Sequence, residues 1–208
     1  KANSNIAVLR IFIREGGGVD IVSGGELYRA LLAGADPGKI VYSGVGKRID
    51  EIDYALTSGI LLFNVESPAE LETIQLRAKT LGKKASIALR INPDVDPQTH
   101  PHISTGLKEN KFGIDIATAV EAYRAAARLP NLDITGVSCH IGSQVTKVSP
   151  FVDALGRLQV LVRKLREEGI GIRYLDLGGG LGITYREETP PLPAEYAGAL
   201  LAMAHNLN

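Results

Sequence analysis

Short apolar runs alternate with longer amphipathic stretches along the chain. The apolar runs are rich in Val, Ile and Leu and contain few polar residues, a pattern typical of strands that are buried on both faces of a parallel sheet. The pattern predicts an α/β protein whose strands lie at 19–22, 40–43, 60–65, 86–91, 134–140 and 172–177.

Helices are predicted before the first strand and between the strands. Ser67 and Glu70 form a capping-box pattern, and the helix that they open stops at Gly82. Ser149 precedes a proline and opens a helix that ends before Gly169. Further helices are predicted at 6–14, 24–33, 50–57, 116–128 and 194–204.

Six strands that are each followed by a helix predict a (β/α)8 TIM barrel that is incomplete here, with about six of the eight strands. We expect Lys1 to stand at the end of a severed first strand and the eighth strand to lie beyond Asn208. A doubly wound open sheet is the alternative, but no G-x-G-x-x-G opens a first helix. The stretch 92–113 is long for a loop between a strand and a helix, and such loops are often functional.

The composition narrows the class of protein. With 208 residues the chain can form one sizeable domain, and its 23 basic and 23 acidic residues give no net charge that would favour nucleic acid. No apolar run approaches the roughly 20 residues of a membrane span. Cys139 is the single cysteine, which excludes an internal disulfide and favours a reducing, cytoplasmic compartment.

Two loops at predicted strand ends carry the strongest candidate chemistry, because strand ends on one face of a barrel build its active site. Residues 140–144 read His-Ile-Gly-Ser-Gln, and residues 176–180 read Asp-Leu-Gly-Gly-Gly. Backbone N–H groups of the triple glycine could crowd around a phosphate, and a side chain at Gly180 would block the approach of that anion. The alternative is a tight turn that requires positive φ.

Individual side chains admit two interpretations each. His140 and Ser143 offer a ring and a hydroxyl at a strand end, whereas Cys139 should point to the opposite face and act as a small hydrophobe rather than a nucleophile. Lys1 could form a Schiff base, although most lysines are simply solvated. Asp20, expected to be buried in a strand, would need a partner and could be a site residue or a helix cap.

A metal site is the less favoured interpretation of a second group of residues. His100 and His102, with Asp94 and Asp96 upstream, contain the H-x-H spacing that some barrel hydrolases use for metal ligands. Here the pair lies in a proline-rich loop several residues beyond the predicted strand, so we expect no metal.

Nine segments, taken in order, resemble the diaminopimelate decarboxylases, which belong to the fold-type III, alanine racemase-like family of pyridoxal-phosphate barrels. No single motif is decisive, but the whole order is very specific. The segments are 1–5, 20–27, 41–47, 63–67, 90–95, 103–108, 111–113, 140–144 and 174–182.

The resemblance implies pyridoxal 5′-phosphate as cofactor and a role for each matching residue. Lys1 matches the lysine that carries the cofactor, His140 matches the imidazole that stacks on the pyridine ring, and Asp20 matches an acidic residue near both. Ser143 and Gly180 match phosphate ligands, in a loop that Gly178 and Gly179 shape. The implied reaction is decarboxylation of meso-2,6-diaminopimelate to L-lysine, the last step of lysine biosynthesis.

The resemblance also implies a homodimer with a small amino-acid substrate. Compared with the family, residues 1–208 form a pyridoxal-phosphate-binding barrel domain that lacks the strand before Lys1, the Glu-Pro-Gly-Arg segment and the C-terminal β domain, so we expect this segment alone to be inactive. Alternatives are another fold-type III decarboxylase or racemase for a basic amino acid, a non-catalytic pyridoxal-phosphate carrier, and a metal-dependent barrel hydrolase that uses His100 and His102.

Overall fold

A computed structural model describes residues 3–96 and 112–204. In those residues it contains seven strands and seven α-helices, which alternate along most of the chain. The strands are β1 (Val19–Ile21), β2 (Ile40–Tyr42), β3 (Leu62–Val65), β4 (Ala85–Asn92), β5 (Ile114–Asp115), β6 (Leu132–Ser138) and β7 (Tyr174–Asp176). The helices are α1 (Ile6–Arg14), α2 (Gly24–Ala33), α3 (Ile49–Ser58), α4 (Pro68–Thr80), α5 (Ala119–Ala127), α6 (Ser149–Glu167) and α7 (Pro193–Ala204).

The strand order confirms the predicted α/β class. Hydrogen bonds connect the strands in the order β1-β2-β3-β4-β6-β7, with β5 paired to β4, and the pairings β1–β2, β2–β3, β4–β5 and β6–β7 are parallel. All six predicted strands are present. The two-residue β5 was not predicted because so short a segment has no periodicity, and the helix predicted at 116–128 begins with a 3-10 turn (Ile116–Thr118) before α5. No helix in the described part of the chain is both long and apolar enough to cross a membrane.

The chain divides into two compact units, whose described parts are residues 3–88 with 125–135 and residues 89–96, 112–124 and 136–204. In the first unit, Val19 on β1 lies opposite Ile40 on β2, and Val41 on β2 lies opposite Leu62 on β3. The core of this unit is aliphatic and aromatic, and its largest fully buried side chains are Ile21, Leu27, Ile40, Tyr42, Ile52, Leu62, Phe63, Ile74 and Ile87.

The second unit contains β7, α6, α7 and the ends of β4 and β6. Its helix α6 buries an apolar stripe that includes Phe151, Leu158 and Leu165, as is typical of a helix with one face against the core. Tyr123 is fully buried, and its hydroxyl accepts a hydrogen bond from Leu89 N (3.3 Å) and donates one to Gly136 O (2.8 Å). Burial raises the pKa of Tyr123, so the phenol stays protonated and remains a donor.

Two helices of the first unit begin with the same arrangement of a serine and a glutamate. Ser23 Oγ accepts from Glu26 N (3.2 Å), and Glu26 Oε2 accepts from Val22 N (2.7 Å). At α4 the serine is Ser67 and the glutamate is Glu70. The predicted capping box is therefore half correct: the serine caps the helix, but the glutamate carboxylate accepts from the residue before the serine, at 2.7 Å in α4.

Lys47 is a buried cation at the ends of β2 and β3. Its Nζ donates to Glu70 Oε1 (2.6 Å), to Gly44 O (2.7 Å) and to Asn64 O (2.7 Å), and its side chain is 1% exposed. All three donor directions of the ammonium are therefore used, which offsets the cost of removing the charge from water. The amine joins the loop after β2, the end of β3 and the first turn of α4.

We predict that Lys47→Met in the full-length protein lowers the free energy of unfolding by about 3–5 kcal/mol, because the Glu70 carboxylate and two carbonyls lose a buried partner. Denaturant unfolding measures the loss. Arg48→Met is the matched control, since Arg48 pairs with Asp50 at the surface (3.0 Å, side chains 74% and 67% exposed) and should leave stability unchanged. Similar small losses in both variants would contradict this role of Lys47.

Candidate functional site

The loop after β6 begins with a buried cysteine. Cys139 is 3% exposed, and its backbone N–H donates to Asp176 O at the end of β7 (2.8 Å). Burial, with a smaller contribution from the charge of Asp176, raises the pKa of Cys139 to about 12. The thiol is therefore protonated at neutral pH, which argues against a Cys139–His140 nucleophile and supports the expected role of Cys139 as a small core residue.

His140 is half-buried and lies against the main chain of Gly178. A Cβ on Gly178 would lie 2.8 Å from His140 Nδ1 and 2.7 Å from Cys139 O, and Gly178 has φ +69°. Only glycine satisfies both the contact and the conformation. Gly178 N already donates to Asp176 Oδ1 (2.8 Å), so this glycine shapes the loop and does not offer its N–H to a ligand.

Gly180 brings the second candidate loop into contact with the first. A Cβ on Gly180 would lie 1.9 Å from Gly142 O, and the residue has φ +104°. Val145 N donates to Gly180 O (2.8 Å), and Gly182 N donates to Val145 O (2.9 Å). A side chain at Gly180 would therefore strike the protein's own carbonyl at Gly142, and the expectation that it would also block an anion stays a prediction.

Ser143 and Gly179 are the exposed residues of these paired loops. The Cα of Ser143 lies 3.6 Å from the position that a Cβ on Gly180 would occupy, so the structure brings Ser143 and Gly180 together. A Cβ on Gly179 would meet no protein atom within 4 Å. The loops present a hydroxyl beside backbone that carries no side chains, and this arrangement suits a phosphate or another small anion.

Asp20 belongs to the first unit and ends a chain of hydrogen bonds from β3. Asn64 Nδ2 donates to Ser43 Oγ (2.9 Å), and Ser43 Oγ donates to Asp20 Oδ1 (2.6 Å). The expectation of a buried Asp20 is wrong, because the residue is exposed while Asn64 is 4% exposed. Asp20 is also not the cap of α2, a position that Ser23 occupies. The exposed carboxylate is therefore oriented by Ser43, which in turn bonds to the buried Asn64.

Three residues singled out from the sequence, Lys1, His100 and His102, lie outside the described residues. Near the end of β4, Arg157 Nη1 donates to Pro93 O (2.9 Å) and to Asp94 O (2.7 Å). Among residues 3–96 and 112–204, no group of three or more His, Cys, Asp or Glu side chains could hold a metal ion.

Three residues of these clusters received no role from the sequence. Parallel pairing is the signal that could have indicated Ser43 and Asn64, because adjacent strand ends bring their polar residues beside Asp20. Gln144 has φ +57°, and its amide accepts from Ile183 N (3.0 Å) and donates to Ile183 O. Nothing in the local sequence indicates this pairing, because it depends on where the second loop passes.

Comparison with known proteins gives the context for these loops. Residues 1–207 match the family model described as "Pyridoxal-dependent decarboxylase, pyridoxal binding domain". The chain belongs to the pyridoxal-dependent decarboxylases. The match covers both candidate loops as well as Lys1 and Asp20, so every residue singled out for the cofactor lies inside the family's pyridoxal-binding domain.

Relatives within these decarboxylases are close in sequence and fold. The chain is 58% identical over 205 residues to diaminopimelate decarboxylase from Pseudomonas aeruginosa, covering 99% of this chain and 49% of that protein. It superimposes with a TM-score of 0.93 on diaminopimelate decarboxylase from Helicobacter pylori complexed with L-lysine, at 44% identity, covering 99% of this chain and 52% of that one. A diaminopimelate decarboxylase from M. jannaschii in complex with L-lysine gives 0.89 at 44% identity, with 99% and 48% covered.

These similarities confirm the predicted fold, the incomplete barrel of the fold-type III enzymes. The chain spans about half the length of the curated relatives it matches.

The contact between the loops predicts different effects at two adjacent glycines of the full-length protein. Gly180→Ala should lower stability by about 1–3 kcal/mol and also weaken cofactor binding, because its Cβ collides with Gly142 O and its φ is unfavourable. Gly179→Ala, which meets open space, should leave stability unchanged. Thermal unfolding without cofactor and titration with pyridoxal 5′-phosphate measure the two effects. A Gly180→Ala protein as stable as the Gly179→Ala protein would contradict the packing of the loops.

Proposed function

We propose that this chain is the pyridoxal-binding half of an enzyme that decarboxylates meso-2,6-diaminopimelate to L-lysine. The observation that carries the proposal is the pair of loops after β6 and β7, whose bare backbone and hydroxyl suit a phosphate. The 58% identity to a diaminopimelate decarboxylase supports the choice of substrate. The L-lysine in the two solved relatives is the product expected of this reaction.

The proposed cofactor is pyridoxal 5′-phosphate. When bound, it supplies an electron sink for the electron pair that remains on the substrate as carbon dioxide leaves. We propose that Ser143 and Gly180 bind its phosphate, in a loop held in place by Gly178 and opened to the ligand at Gly179. Lys1 Nζ is the proposed point of covalent attachment, a role that rests on the resemblance of residues 1–5 to the family.

His140 is proposed to stack on the cofactor ring, and Asp20 is proposed to lie near the cofactor and Lys1. The contact of His140 with the main chain of Gly178 limits where the imidazole can lie, which suits a residue that packs flat on a ring. The Ser43 hydroxyl donates to one oxygen of the exposed Asp20 carboxylate and so orients it. A carboxylate held in this way can orient a positively charged nitrogen or accept a proton from it.

The whole protein is proposed to match its relatives in organisation. We propose that it continues into a C-terminal β domain, functions as a homodimer and acts in the cytoplasm. These proposals rest on the resemblance and on relatives that are about twice as long as this chain.

The decisive experiment measures carbon dioxide release by the full-length protein with pyridoxal 5′-phosphate. We expect turnover of meso-2,6-diaminopimelate to L-lysine and much slower release from ornithine, arginine and lysine. Borohydride should fix the cofactor to Lys1 in peptide mapping. Lys1→Ala should abolish both the linkage and turnover, whereas Lys84→Ala, at an exposed lysine, should change neither.

Each contrary outcome rejects a different part of the proposal. Preferred turnover of ornithine or arginine would reject the substrate and retain the cofactor. Reduced cofactor on another lysine would reject the role of Lys1. Hydrolytic activity that requires a divalent metal and does not depend on pyridoxal phosphate would favour the alternative of a metal-dependent hydrolase that uses His100 and His102.

A further inference from the structure

The amide of Gln144 pairs with the main chain of Ile183 in two directions. Its Oε1 accepts from Ile183 N (3.0 Å), and its Nε2 donates to Ile183 O. The side-chain amide thus accepts one hydrogen bond and donates another, as the peptide groups of a β-strand do. Next to it, Val145 N donates to Gly180 O (2.8 Å) and Gly182 N donates to Val145 O (2.9 Å). The four bonds form one short ladder between the two candidate loops.

Two further observations indicate that this pairing is specific. Gln144 has φ +57°, a left-handed conformation that is uncommon for residues other than glycine. Ile183 is 59% exposed, so burial of its side chain does not hold the second loop in place. The hydrogen bonds between Ile183 and Gln144 therefore hold this end of the second loop, beside the buried Val145.

We propose that Gln144 is a positioning residue for the phosphate site. It directly follows Ser143, and the ladder that it extends contains Gly180, so its amide fixes the spacing between the two proposed phosphate ligands. The inference rests on the proposed function of these loops and adds a residue to which that function assigned no role. Gln144 acts through the loops and does not itself bind the ligand.

The phosphate provides a readout that general loosening of the protein would not give. A positioning role predicts weaker binding of pyridoxal 5′-phosphate and of inorganic phosphate, but unchanged binding of pyridoxal, which lacks the phosphate. A purely structural role predicts that all three ligands weaken together with thermal stability.

The test uses the full-length protein, freed of cofactor, with the variants Gln144→Ala, Gln144→Gly and Gln75→Ala. Dissociation constants are measured for pyridoxal 5′-phosphate and pyridoxal, and inorganic phosphate is measured as a competitor. Gln144→Gly removes the amide but accepts positive φ, so it retains a readout if Gln144→Ala does not fold. Gln75 is the matched control, because its amide also makes two hydrogen bonds, with Asn131 (2.9 and 3.2 Å), in the first unit.

We expect both Gln144 variants to bind pyridoxal 5′-phosphate and inorganic phosphate about tenfold or more weakly, the loss of one to two net hydrogen bonds, with unchanged binding of pyridoxal. Gln75→Ala should lower the melting temperature and leave every dissociation constant unchanged. Unchanged phosphate binding in both Gln144 variants, or equal weakening of pyridoxal, would overturn the inference while the proposed function stands. A wild-type protein that binds neither phosphate nor the cofactor would overturn both.

Discussion

The candidate site depends on one steric constraint, the contact between the main chains of two loops at Gly180. A Cβ on this residue would lie 1.9 Å from Gly142 O, so the two segments can approach only because the position carries no side chain. That approach lets Val145 bond to Gly180 and Gly182, and it places Ser143 beside bare backbone. An exposed serine and exposed backbone without side chains are then brought together, an arrangement that suits binding of a phosphate.

In the first unit, hydrogen bonds of charged and polar side chains orient a candidate site residue, whereas in the second unit a glycine lets two loops approach. The buried amine of Lys47 donates hydrogen bonds to the Glu70 carboxylate and to the Asn64 carbonyl, and these bonds hold the end of β3. The Asn64 amide then donates to Ser43, and Ser43 donates to Asp20. An exposed carboxylate is thus oriented by a hydrogen-bond network that extends to a buried ion pair.

Much of the fold could be predicted from hydrophobic pattern alone, and much of the site could not. The six predicted strands are present because buried parallel strands leave a clear apolar signal, whereas the two-residue β5 leaves none. The two loops after β6 and β7 could be singled out because strand ends build sites in such folds, and the structure places them in contact. The exposure of Asp20 and the pairing of Gln144 with Ile183 could not, because both depend on contacts between segments that are distant in sequence.

The most direct measurement is a crystal structure of the full-length protein with pyridoxal 5′-phosphate bound. We predict phosphate oxygens at about 3 Å from Ser143 Oγ and from the backbone of Gly180, the distance of ordinary hydrogen bonds. We also predict that the cofactor ring lies against His140 and that its carbonyl carbon is bonded to Lys1. A phosphate bound elsewhere, with the loops after β6 and β7 free of ligand, would contradict the proposed phosphate site.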